Sequence, residues 1–174
     1  YTALVAKDRG TGSVIVPDTD FSTFVDAPSE ATDFIGRARR DIGNNFVSVL
    51  VTDRENRDGS YNRVIGPDFQ WRPNDVDSIT GQLIYSSTLD PDRPDLFSGW
   101  QGEKRSGHAA YVSWSHQKPT HDWFFQAQDY SQDFQADQGF VPQVGFRSAF
   151  LETGRTFRPK EGFLSRIRVW GQAN

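Results

Sequence analysis

The stretch Phe46-Val47-Ser48-Val49-Leu50-Val51-Thr52-Asp53-Arg54-Glu55, the turn Asn56-Arg57-Asp58-Gly59, and the return Tyr61-Asn62-Arg63-Val64-Ile65-Gly66-Pro67-Asp68-Phe69-Gln70-Trp71 decide the fold class. Val47, Val49 and Val51 alternate with Ser48 and Thr52, and on the return Ile65, Phe69 and Trp71 alternate with Asp68, Gln70 and Arg72. Successive side chains of a strand point to opposite faces, so a period of two places each set on one face of a sheet. The two segments read as one long hairpin with an apolar and a polar side.

The same rhythm runs to the C-terminus. Candidate strands cover 2–6, 13–16, 34–41, 46–54, 62–72, 78–86, 108–116, 122–130, 144–151 and 164–171, separated by turn chemistry such as Gly43-Asn44-Asn45, Arg72-Pro73-Asn74-Asp75 and Gln117-Lys118-Pro119-Thr120. Helical periodicity is nearly absent, and the one candidate, Ala27-Pro28-Ser29-Glu30-Ala31, amounts to a single turn at most. Sequential strands on short turns imply an all-β, antiparallel up-and-down meander of about 8–10 strands, because parallel neighbours need long crossovers. Two longer connections interrupt it, one from Asp90 to Gly107 and one from Ser131 to Pro142.

At 174 residues the chain fits one domain, read as 1–174. Nineteen basic and 23 acidic residues, well mixed for a net charge of -4, leave no basic footprint for nucleic acid. Without cysteine there is no disulfide, thiolate metal site or thiol nucleophile. The chain starts at Tyr1 and lacks methionine, which reads as a processed or truncated piece whose signal peptide, if any, is gone. No run approaches the ~20 apolar residues of a membrane helix, but a barrel strand needs only ~10 alternating residues. A mean hydropathy of -0.64 suits a soluble protein or a barrel with a polar interior.

One face collects Val47, Val49, Val51, Ile79, Leu83, Tyr85, Ala110, Val112, Trp114, Trp123, Phe125 and Ala127, and is expected to continue through Val144, Phe146, Phe150, Ile167 and Val169. The opposite face collects Arg37, Arg39, Ser48, Thr52, Gln70, Arg72, Thr80, Gln82, Ser113, Gln126, Gln128, Arg147, Arg166 and Arg168. Periodicity alone admits a soluble barrel with an apolar interior and a membrane barrel with an apolar exterior. The pairs Arg37/Arg39 and Arg166/Arg168, with Asp41 and Asp68 as partners, suit a hydrated lumen, and Trp71, Tyr85, Trp114 and Trp123 suit an interfacial aromatic girdle. The candidate polar lumen or rim network is therefore Arg37, Arg39, Asp53, Arg54, Glu55, Arg63, Asp68, Arg72, Arg147, Arg166 and Arg168.

Catalytic chemistry finds little support. Asp53 and Glu55 share a face, as a glycosidase pair requires, but Arg54, Arg57 and Arg63 crowd the hairpin, and a salt-bridged carboxylate is held ionised rather than poised as an acid. Loop aspartates 18, 20, 26, 90, 92 and 95 match no calcium motif and read as solvated turn residues. His108 and His116 stand about 26 Å apart on one strand, and although His116 and His121 flank a turn, no carboxylate completes a zinc set around them. No phosphate loop or nucleophile elbow is present, so the reading is a non-catalytic protein with no cofactor and no metal. In Asp133-Phe134-Gln135-Ala136-Asp137-Gln138-Gly139-Phe140-Val141-Pro142, Phe134 and Phe140 are expected to pack over the sheet end, with Gly139 supplying a special backbone angle.

That last run and the opening hairpin also carry a resemblance. With Arg40-Asp41-Ile42-Gly43, Val51-Thr52-Asp53-Arg54-Glu55, Asn62-Arg63-Val64-Ile65-Gly66-Pro67-Asp68-Phe69 and Thr80-Gly81-Gln82, the chain resembles the bacterial β-barrel domain of unknown function that follows a family-nine-type carbohydrate-binding domain in long secreted proteins. The order and approximate spacing match over nearly the whole chain. The resemblance implies an outer-membrane β-barrel, or a segment of a larger one, exported through a signal peptide, with the carbohydrate-binding domain of relatives missing here. It implies a scaffold or passive channel whose partners are the lipid bilayer, other barrel segments or other protein subunits, with polysaccharide bound only through the missing domain. It brings no catalytic residues. Two alternatives stay open: a soluble β-sandwich or barrel subunit of a larger complex, and a carbohydrate-binding or glycoside-hydrolase-associated protein.

Overall fold

The computed structural model describes residues 1–28 and 30–174. It is all-β: β1 (Thr2–Asp8), β2 (Thr11–Val16), β3 (Thr23–Pro28), β4 (Ala31–Ile42), β5 (Asn45–Asn56), β6 (Tyr61–Trp71), β7 (Asp77–Leu89), β8 (Lys104–Gln117), β9 (His121–Tyr130), β10 (Phe146–Phe157) and β11 (Ile167–Ala173). Nine strands form one sheet in the order β1-β4-β5-β6-β7-β8-β9-β10-β11, every pair antiparallel, and β2-β3 form a separate hairpin. The main sheet's nine strands fall within the 8–10 expected, but the β2-β3 hairpin brings the total to eleven and departs from a plain meander: β1 pairs with β4 and the hairpin lies between them in sequence. The sheet is open, since β1 and β11 are edges with no partner strand among the described residues.

The helical turn expected near Ala27 is not found. Ala27 and Pro28 close β3 and Ala31 opens β4, while Ser29 lies outside the described residues. Strands β4 to β10 run 10 to 14 residues, well beyond the ~5–6 of an average strand. The turns joining them at one end are tight: Gly43 (φ 60°) makes the β4-β5 connection, and at the other end Gly59 (φ 88°) makes the β5-β6 connection. The β4-β5, β6-β7 and β8-β9 links define a turn end. The opposite end, the loop end, carries segments 9–30, 90–103 and 131–145.

Pro67 sits inside β6, where a proline cannot donate to the ladder. The β6-β7 register accordingly breaks at Gly66 and Pro67 and resumes at Asp68↔Gln82 without slipping. Gly66 lets the strands approach there: a Cβ would stand 2.7 Å from the Ile84 Cα.

The apolar core is small and lies in two clusters on one side of the sheet. Phe134, Val144 and Ala109 are buried together, with Ile84, Tyr130, Ala136 and Val141 against them. Val16, Val25 and Trp100 form the second, with Leu96 and Phe97. Segment 131–145 thus lies on the sheet as a strap. The β2-β3 hairpin docks on the strap through a bridge between Asp18 and Gln143 and on segment 90–103 through Trp100. Burying Phe134 and Val144 contributes about 1.5–3 kcal/mol each.

The strap corrects the reading of residues 133–142. Phe134 is 2% exposed as expected, but Phe140 is 75% exposed, and the left-handed backbone belongs to Gly145 (φ 72°), not Gly139. Gly107 is what admits the strap. A Cβ there would lie 2.6 Å from the Asp133 carbonyl carbon and closer still to the Phe134 backbone nitrogen.

Candidate functional site

The register sorts the side chains onto a covered face, beneath the strap, and an open face. Across the covered face Ser48, Asp68, Gln82, Tyr111, Gln128 and Ser148 form one cross-strand row, and Phe46, Gln70, Thr80, Ser113, Gln126 and Phe150 form the next. Across the open face the matching rows are Val47, Phe69, Gly81, Val112, Ala127 and Ala149, and then Trp71, Ile79, Trp114, Phe125 and Leu151. The polar face is the more buried one: Ser48, Thr52, Asn62, Ser86, Thr88 and Ser113 are buried, while Val47, Val49, Ile65, Phe69, Leu83 and Val112 are exposed. That inverts the usual disposition, in which large exposed apolar patches mark contact with something other than water.

On the open face the apolar band has polar margins. On β6 it runs from Ile65 to Trp71, bounded by Arg63; on β7 from Ile79 to Tyr85, bounded by Asp77 and Ser87; on β9 from Trp123 to Ala127, bounded by His121 and Asp129. Trp71, Trp114 and Trp123 lie toward the turn end, with Trp114 edge-on to Trp123 at 4.2 Å and His116 stacked on Trp123 at 5.6 Å. Tyr85 stands apart from them, beside His108 and nearer the loop end. Asp77 ties this margin together, accepting from His116 Nδ1 at 2.7 Å and Trp114 Nε1 at 3.0 Å. His116 and His121 come within 5.9 Å, ring to ring, and no group of three metal-ligating side chains forms among the described residues.

Of the eleven charged network residues, nine lie in strands on one face or the other, and Arg72 and Arg166 lie outside the strands. Arg37, Arg39, Arg54, Asp68 and Arg168 are on the covered face. Arg37 donates to Asp68 (2.7 Å) and to Ser48, Ser48 donates to Asp68 (2.5 Å), and Arg39 pairs with Asp41 (2.6 Å) while lying over the Phe46 ring. Arg54 pairs with Asp33 (3.0 Å) and Asp8 (3.3 Å), and Arg168 with Asp122 and with Glu152 (3.1 Å). Asp53, Glu55 and Arg63 are on the open face at its loop-end margin, where Arg63 holds both carboxylates.

Three assignments need correction. Arg147 pairs across β9-β10 with Asp129, so it lies on the open face and not in the polar set. Phe146 and Phe150 oppose Tyr130 and Gln126, which places them on the covered face, and Leu151 takes the open-face position instead. Val144 lies outside the strand, within the strap itself, where it is buried against Ala109 and Phe134. Arg166 precedes β11, and Arg72 follows β6, where its backbone N–H donates to Asn45 Oδ1 at 2.5 Å.

Sequence reasoning missed the polar cluster that seats the strap. Asn62, 1% exposed, donates through Nδ2 to Thr88 Oγ1 (2.9 Å) and to the Gln135 carbonyl (3.0 Å), and its Oδ1 accepts from the Asp137 N–H (3.0 Å). The Gln135 N–H donates to Ser86 Oγ at 3.2 Å, and Arg105 donates to both Asp90 oxygens at 2.7 Å and to Gln135 Oε1 at 3.1 Å. Gln138 Nε2 donates to Asp33 and to the Asp53 carbonyl. The one available signal was an asparagine at the polar-side position of an otherwise alternating strand. No protein-family model, curated protein or solved structure matches this chain.

Proposed function

We propose that this chain is a non-catalytic wall of an outer-membrane-type β-barrel, a scaffold or passive channel with its open face in lipid. The observation that carries the reading is that the apolar face of the nine-stranded sheet is the exposed one and the polar face is the covered one. A bilayer turns this arrangement from a liability into a driving force, since about 25 cal/mol per Å² of apolar surface leaves water on insertion. Strand lengths of 10 to 14 residues reach the ~9–11 that a tilted membrane strand needs. The Trp71, Trp114 and Trp123 margin suits a headgroup belt.

The edges bear on completion of the barrel. Eight antiparallel steps separate β1 from β11, so both edges run the same way. An all-antiparallel closure then takes an odd number of further strands, and lipid tolerates no unpaired edge. Asp53 and Glu55 share the Arg63 guanidinium on the open-face margin, which supports a rim ion pair over an acid/base pair. The reading predicts dependence on detergent or lipid. The assay is size-exclusion chromatography with light scattering after detergent removal: aggregation or loss of sheet signal is expected, and a folded monodisperse protein in plain buffer overturns it in favour of a soluble subunit.

A further inference from the structure

The strap is held in two different ways along its length. Its ends are anchored by apolar burial, Phe134 at 2% exposure and Val144 at 1%. Its middle, 135–139, is held by polar contacts to Asn62, Ser86, Arg105 and Asp33. That middle is incompletely satisfied. Gln138 Oε1 is buried without a hydrogen-bond partner. Asp137 accepts a single side-chain hydrogen bond, from Gln135 Nε2 at 2.7 Å, and the nearest cations are already engaged: Arg54 by Asp33 and Asp8, Arg105 by Asp90. Clefts of about 210 and 220 Å³ flank the same residues, one under the β2-β3 hairpin and one against the sheet, so the segment has room to move.

We propose that residues 135–139 form a pH-dependent cover over the loop end of the polar face, seated in acid and released as the medium becomes alkaline. The titrating group is Asp137. The charged groups that face it are Arg54 from β5, Arg105 from β8 and Asp90 after β7, with Asp8 of β1, Asp58 of the β5-β6 turn and Arg93 lining the adjoining clefts. Burial pushes the Asp137 carboxyl above the ordinary aspartate range, opposed by the Gln135 hydrogen bond and by Arg54. A group whose pKa is higher when seated than when free stabilises the seated state fully below the free value, and loses that contribution as pH rises through the seated value. The unpaired Gln138 Oε1 and the singly bonded Asp137 carboxyl make this middle the first part to leave, while Phe134 and Val144 keep the strap tethered.

Backbone hydrogen exchange, corrected for intrinsic rates, tests the cover in lipid or detergent at pH 5 and pH 8. Protection of Gln135–Gly139 amides is expected to fall at least 10-fold in the native protein and to stay constant in Asp137→Asn, while Val64 and Ala109 amides stay constant in both. A pH-independent native segment, or the same fall in Asp137→Asn, overturns the proposal. If Asp137→Asn disturbs Val64 or Ala109, the carboxyl-carbon titration of native Asp137 decides: a midpoint coinciding with release supports the cover, and one at or below the ordinary aspartate value overturns it.

Discussion

Replacing Asn62 by alanine removes the hub that joins the strap to the sheet. The side chain makes three hydrogen bonds, to Thr88 Oγ1, the Gln135 carbonyl and the Asp137 N–H, at 2.9 to 3.0 Å in a site 1% exposed. Each contributes about 0.5–1.5 kcal/mol net, and a buried group left unpaired costs about 1–3 kcal/mol. Water entering through the adjoining cleft partly re-satisfies Gln135 and Asp137, so the expected destabilisation is about 2–4 kcal/mol and falls first on the strap. The expected result is a 30-fold or greater rise in exchange at the Asp137 amide, faster protease nicking within 131–145, and a sheet whose own exchange changes little, because Phe134 and Val144 remain buried. Unchanged strap protection, with stability within about 0.5 kcal/mol of the native protein, would refute the assignment of Asn62 as the hub.

Leu83→Arg places a charge at the middle of the open-face band and should cost about 2–4 kcal/mol in bilayers, read by urea unfolding in vesicles, against almost nothing for the polar-face change Gln82→Arg. Gly107→Ala forces a Cβ against the Asp133–Phe134 backbone and should cost about 1–3 kcal/mol, with the strap displaced, read by Tyr130 and Phe134 side-chain signals in NMR spectra. Arg63→Gln should leave global stability within about 1 kcal/mol, since a pair this exposed is screened by water and salt.

The hairpin from Phe46 to Trp71 was legible because Val47, Val49, Val51, Ile65, Phe69 and Trp71 hold one parity while Ser48, Thr52, Asp68 and Gln70 hold the other, even though Leu50 and Val64 join the polar side and Asp53, Glu55 and Arg63 the apolar one. Near β10 the pattern fails. Val144, Phe146, Phe150 and Leu151 put apolar residues at both parities, and only the register to β9 shows that the phenylalanines face the strap. β3 escaped notice because Asp26 and Pro28 break alternation, and its partner β2 supplies the pairing. The seat of the strap was illegible for a different reason: Asn62, Ser86 and Gln135 are brought together from three distant segments, and nothing local marks them as partners. Arg147 looks like a lumen arginine until the register to β9 puts it beside Asp129 on the apolar face.

The most direct test of the account uses single spin-labelled cysteines, unopposed in a chain without native cysteine, at Val49 and Phe125 on the open face and Thr52 and Gln126 on the covered face. In lipid vesicles the lipid-soluble quencher oxygen should reach Val49 and Phe125 and the water-soluble nickel chelate should not, while Thr52 and Gln126 should show the opposite preference or protection from both. Equal or greater chelate access at Val49 and Phe125 would contradict the lipid-facing wall.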